Sequence, residues 1–178
     1  SPQAPPSGKN QTPPMHPAER GDGKEAFMAD KISPPEGTAL QAHVQKLGTQ
    51  LHEGPELSGQ GHRTTRLVRR ELEGLCLEPV PLGLPTGTAA LLRGALPGPT
   101  VGLRADLDAL PITERTGAEF SSRVPGVMPA CGPHVHLAAL LGAARLPAAR
   151  REQLAGDVLL LFQPADDAPH GALRPMDP

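Results

Sequence analysis

Aromatic residues are almost missing from this 178-residue chain, which has no Trp, no Tyr and three Phe, at Phe27, Phe120 and Phe162. A hydrophobic core must therefore be built from Leu, Val and Ala. These are scarce before about residue 38 and plentiful after it. Strong charge of either sign is missing too: the net charge is −2 and the pI is near 6.4. The electrostatic footprint of a nucleic-acid binder is therefore absent. A locally basic tract, HRTTRLVRREL (His62–Leu72), is followed at once by acidic residues and has no interleaved aromatics. It reads as the solvated face of a helix rather than a polyanion site.

Long apolar runs are lacking. The longest, DVLLLF, is far too short to cross a bilayer, so no membrane partner is expected, and no apolar signal region opens the sequence. Cysteine is limited to Cys76 and Cys131, which excludes a disulfide framework and suits a reducing cytoplasm. Cys76, within LEGLCLEPV, reads as a buried core thiol. Cys131 sits among Gly, Pro and His, where a thiol is more often chemical than structural.

Pro and Gly, by contrast, are abundant, at 23 and 20 residues. Residues 1–37 combine low hydrophobicity with frequent Pro and are expected to form a disordered tail; Met28 is a candidate start within it. Residues 38–178 then form one domain. In TALQAHVQKLGTQLHE, Leu40, Val44, Leu47 and Leu51 recur at helical spacing. A second helix carries Leu67, Val68, Leu72 and Leu75 and ends near Gly74. Three short apolar runs, Leu75–Val80, Thr88–Leu92 and Thr100–Leu103, read as strands. The third is expected to be buried and to end in the charged RADLDALP. A long loop, Ile112 to Pro133, leads to a third helix from His136 to about Leu146, and Asp157–Phe162 is a last strand. The order indicates an α/β sheet covered by helices.

Three polar clusters fall at element termini: Asp106/Asp108, Cys131/His134/His136 and Asp166/Asp167. Thiolate and imidazole suit Zn²⁺ and similar ions, and carboxylates complete such shells. A Cys-x-x-His pair is a short metal clip or simply a loop. The paired carboxylates divide labour as metal ligand and general base, or form a solvated turn. Asp106 or Asp108 orients a histidine ligand, or caps a turn.

Four collinear blocks carry more. LHEGPELSGQ, PGPTVGLRADLDALPITERTG, PGVMPACGPHVHLAALLGAARL and LAGDVLLLFQPADD resemble, in order, the metal-dependent amidohydrolases related to hippurate hydrolase, aminoacylase and the auxin-conjugate hydrolases. The resemblance runs from about Leu40 to Met176. It implies a partial zinc-peptidase-like catalytic domain, with helices on a mixed sheet, and hydrolysis of the amide bond of N-acyl amino acids. A divalent metal (Zn, Mn or Co) is implied as cofactor, as is a lid/dimerisation domain for which these residues have no counterpart. The exposed sheet surface this leaves is a candidate homo-oligomer contact.

Carried over by residue, the resemblance makes Asp166 the catalytic general base and makes Cys131 and Asp167 metal ligands. The family loop reads Ala-Cys-Gly-His-Asp-x-His, and here the ligand histidine is replaced by Pro133. His134 is the candidate substitute, one residue along. Asp106, Asp108 and His136 match supporting positions. His52 is kept in LHEGPEL, whereas Gly54 stands for a second histidine and Pro129 for another. Asp166 and Asp167 replace the family's glutamates, shortening each arm by about 1.5 Å, and a misplacement of ~1 Å can cost on the order of 100-fold in rate. The expectation is a chain inactive or severely impaired on its own: a truncated paralogue, or at most an interaction protein. Pro147 falls inside or at the end of the third helix; inside, it would cost ~3 kcal/mol or more.

Overall fold

The computed structural model describes residues 33–166. Most of the expected tail, and Asp167, lie outside the described residues. Helix α1 spans Pro34–Glu53 and starts ahead of Thr38, where the apolar periodicity begins. The reason is local chemistry before the periodic stretch. The N–H and hydroxyl of Ser33 both donate to the Glu36 carboxylate, at 3.1 and 2.8 Å, and proline suits the first helical turn.

Helix α2 spans His62–Glu73. Its cap comes from a distance: Glu56 accepts from the Arg63 and Thr64 amides at 3.0 and 2.7 Å and from the Thr64 hydroxyl at 2.8 Å. A carboxylate there satisfies two orphan donors and meets the positive end of the helix dipole. Past α2 the sequence expectation fails at one residue. Cys76 is exposed rather than a core thiol. Gly74 keeps right-handed helical geometry (φ −61°), so the left-handed turn that ends the segment falls on Cys76 (φ 52°). That geometry turns its side chain out.

The strands are β1 (Glu78–Val80), β2 (Thr88–Arg93), β3 (Leu96–Asp106) and, after helix α3 (Pro133–Ala149) and a single 3₁₀ turn, β4 (Ala155–Gln163). The sheet order is β1-β2-β4-β3. β1/β2 and β2/β4 are antiparallel, while β3/β4 are parallel, with α3 as the crossover between them. This is the expected α/β class with a mixed sheet. β1 is shorter than the run Leu75–Val80 because the turn at Cys76 takes its first residues.

The core lies between the sheet and the helices. Val158, Leu160 and Phe162 alternate along β4 and pack with Ala90 and Leu92 of β2, Val68 and Leu72 of α2, and Leu137, Leu141 and Ala144 of α3. Leu160 and Phe162 have no exposed surface. Burial of each such side chain is worth roughly 1.5–3 kcal/mol. The helices are also tied through polar groups: Glu71 of α2 meets Arg145 of α3 at 2.6 Å and His43 of α1 at 2.9 Å.

β3 corrects another expectation. It is exposed along its first nine residues and buried only at Ala105 and Asp106. It is the sheet's edge, and pairing places Val101 and Leu103 opposite Val158 and Leu160, yet they remain 52% and 37% exposed. Helix cover reaches only the C-terminal end of the strand. Pro147 lies within α3, where it removes an amide from the last turn.

Candidate functional site

The expected residues collect where β3 and β4 end and α3 begins, but contacts join them in pairs rather than as one cluster. Asp106, the last residue of β3, is buried and accepts from His136 Nδ1 at 2.8 Å. This fixes the tautomer, because a carboxylate can only accept. His136 Nε2 therefore keeps its lone pair in the neutral ring. A methyl group built on Gly132 would lie 3.7 Å from Nε2, so that nitrogen faces the Cys131–Gly132 turn. Gly132 has φ 96°, a left-handed conformation that glycine adopts without strain and that starts α3 directly after the exposed Cys131.

Asp108 is buried at 1% exposure and accepts the Asp166 amide with both oxygens, at 2.9 and 3.0 Å. It braces the turn after β4. The Asp166 carboxylate is paired with the Arg104 guanidinium, and Gln163 Nε2 donates to the same oxygen at 3.3 Å. Arg104 also donates to Gln163 Oε1 at 2.8 Å. The candidate base is thus held by a cation from the neighbouring strand, a partner that sequence order did not bring forward. The arginine two residues before Asp106 was the available signal, since β3 and β4 run in parallel register.

The position where the family places a ligand histidine, Pro133, is fully buried at the first turn of α3. His134 also turns inward. Its Nε2 lies 3.2 Å from His52 Nδ1, and His52 Nε2 lies 3.1 Å from both oxygens of Glu114. Glu114 accepts, so His52 donates from Nε2 and accepts at Nδ1 from His134. His134 Nδ1 is buried and has no partner at ordinary hydrogen-bond distance among the described residues. Burial, followed by repulsion from His52 and His136, pushes the His134 pKa below its ordinary value. Glu114 is held down to about 2 by hydrogen bonds from the Thr116 hydroxyl and the Ser122 amide, with His52 adding to them. Phe120 stacks edge-on against His52, with ring centroids 5.1 Å apart. Glu114 sits in the long loop, and no spacing in the sequence marks it.

The chemical capacity of the site follows. Cys131 and His136 are the metal-type donors facing outward, while the nitrogens of His134 face the interior. Among the described residues no three His, Cys, Asp or Glu side chains converge as a metal ion requires. The described donor set does not fit a metal centre. The gap beside His134, bounded by Leu51, Thr64, Pro129 and Leu137, encloses about 10 Å³, the space of one water rather than of a substrate. No helix of the described residues is long and apolar enough to cross a membrane.

Comparison with known proteins agrees with this architecture. Residues 102–177 match the family model of peptidase family M20/M25/M40. The chain is 46% identical over 139 residues to thermostable carboxypeptidase 1 of Saccharolobus solfataricus, which covers 77% of this chain and 35% of that protein. It is 39% identical over 147 residues to the N-acetyl-L-cysteine deacetylase of Bacillus subtilis, covering 83% of this chain and 35% of the relative. Among solved structures, the YXEP protein of Bacillus subtilis, a dinuclear metal binding peptidase from the M20 family, superposes with a TM-score of 0.69. It is 43% identical, and the match covers 72% of this chain and 36% of that one. Over these residues the chain is therefore similar to part of the catalytic domain found in peptidase family M20/M25/M40. It spans about a third of the length of the curated relatives it matches.

Proposed function

We propose that this chain is an amidohydrolase of the N-acyl amino acid type in which metal-dependent hydrolysis is severely impaired. Support for the reaction class comes from the collinear match to relatives that include an N-acetyl-L-cysteine deacetylase. Support for the impairment comes from the His134 ring, the candidate replacement for the ligand lost at Pro133, whose Nε2 is engaged with the His52–Glu114 pair. Asp166, the candidate base, is paired with Arg104. What the site does retain is positioning. Asp106 orients His136, and Asp108 fixes the backbone of Asp166. A cytoplasmic location agrees with two cysteines that are not joined in a disulfide.

Titration calorimetry with Zn²⁺, Mn²⁺ and Co²⁺, on the wild type and on Cys131→Ser, His134→Ala and His136→Ala, tests this reading. The expected result is binding weaker than micromolar, reduced by Cys131→Ser and His136→Ala and unaffected by His134→Ala, with no turnover of N-acetyl amino acids. Micromolar binding that depends on Cys131 and His134, together with hydrolysis, would overturn it.

A second reading, an interaction protein, is favoured by the open edge of β3, where Val101 and Leu103 stand exposed on the helix-side face. Unpaired apolar edges invite strand pairing. The occupant we propose is a second copy of the chain, and light scattering on the same preparation reads it as a concentration-dependent dimer.

A further inference from the structure

A cavity of about 520 Å³ lies between α2, β1 and β2, sharing no residue with the α3 site. This volume falls within the range of small-molecule pockets. Its walls are aliphatic, from Leu72, Leu77, Val80, Leu82, Leu84 and Ala90. Two charged residues, Arg69 and Glu73, stand on the same wall, both exposed and both from α2. Four residues of helix separate them by about 6 Å along the axis.

Opposite charges at this spacing can pair, though the order with the cation first is the weaker one. Here no ion pair joins them among the described residues. Arg69 donates to the Gly87 carbonyl at 3.3 Å, which holds the guanidinium against the β2 end of the cavity. The Glu73 carboxylate takes no hydrogen bond among the described residues. Both groups are exposed to water, and an aliphatic cavity flanked by one cation and one anion suits a ligand with both charges. A fatty acid would leave Glu73 unmet, an aliphatic amine would leave Arg69 unmet, and a hydrocarbon would leave both.

We propose that this cavity is a binding site for a small zwitterion with a branched aliphatic side chain, an apolar α-amino acid. Its carboxylate meets Arg69, its ammonium meets Glu73, and its side chain fills the space among Leu77, Val80, Leu82 and Leu84. The inference stands on cavity shape and charge placement alone and does not depend on the amidohydrolase reading.

The test is an NMR titration of the full chain with L-leucine and three probes that each lack one feature: 4-methylpentanoate, 3-methylbutylamine and glycine. The expected result is saturable shifts in residues 69–90 with L-leucine, and binding weakened about tenfold or more for each probe, as loss of a charged hydrogen bond or of the apolar group implies. Glu73→Gln, an exposed change at the end of α2, should erase the preference for L-leucine over 4-methylpentanoate. Arg69→Lys should weaken L-leucine while retaining some affinity. The wild-type ligand series needs no variant to fold. Absence of saturable binding, shifts centred elsewhere, equal affinity for 4-methylpentanoate and L-leucine, or an unchanged preference in Glu73→Gln would each overturn the proposal.

Discussion

Two glycines at the α1–α3 crossing should respond in opposite directions to the same substitution. A Cβ added at Gly142 of α3 would meet Val44 Cγ2 of α1 at 2.5 Å, with Leu40 Cδ1 behind it at 3.8 Å. One added at Gly48 of α1 would meet Ala138 Cβ at 3.8 Å, an ordinary contact. Helical propensity favours Ala over Gly by about 0.5–1 kcal/mol at either position. At Gly48 nothing opposes that gain, so Gly48→Ala should stabilise by about 0.5–1 kcal/mol. At Gly142 the contact must open by roughly 1 Å, and Val44 is β-branched and stiff in a helix. Overpacking of this kind costs ~1–3 kcal/mol, so Gly142→Ala should destabilise by a net ~0.5–2 kcal/mol.

The strain also has a functional readout. His134 precedes Gly142 by eight residues, about 12 Å along α3. A shift of α3 away from α1 would stretch the 3.2 Å contact between His134 and His52 of α1. Urea unfolding followed by circular dichroism gives the stabilities, and imidazole NMR shifts report the His52–His134 pair. Val44→Ala in the Gly142→Ala background should relieve the contact and show positive coupling between the two sites. Equal stabilisation by both Ala substitutions, or no relief from Val44→Ala, would refute the close-packed crossing.

Acid should destabilise the fold in two stages. His134 has its pKa lowered, so below the ordinary histidine value of about 6.5 the unfolded chain binds a proton that the folded chain resists, and stability falls as pH drops. Glu114, held at about 2, contributes stability above the ordinary carboxylate value of about 4.3, and this is lost between there and pH 2. Melting temperatures from pH 7.5 to 3 should show both limbs; His134→Phe should flatten the upper one and Glu114→Gln the lower. A flat profile above pH 5 in the wild type contradicts the buried-histidine geometry. At Cys76, exposed with φ 52°, glycine relieves a left-handed conformation, and Cys76→Gly should raise the urea midpoint by the equivalent of ~0.5–1 kcal/mol. A lowered midpoint would show that the thiol side chain contributes to the fold.

The sequence by itself determined the element types, because helical and strand periodicities are local properties of the chain. Leu40–Leu51, Leu67–Leu72 and Asp157–Phe162 announce their structures through spacing alone. It also carried the family resemblance, because four short blocks in a fixed order need no coordinates to be compared. Tertiary structure decided what those residues touch. Whether β3 is central or an edge depends on which strands and helices lie beside it, and no residue within β3 encodes that. Cys76 faces solvent because a left-handed turn passed over Gly74 and fell on its neighbour. Glu114, Arg104 and His52 enter the site from a loop, a strand and a helix far apart in sequence, so no spacing could join them. The direction of the His134 ring is set by a hydrogen bond to His52 on another helix. Such a bond forms only once the chain has folded.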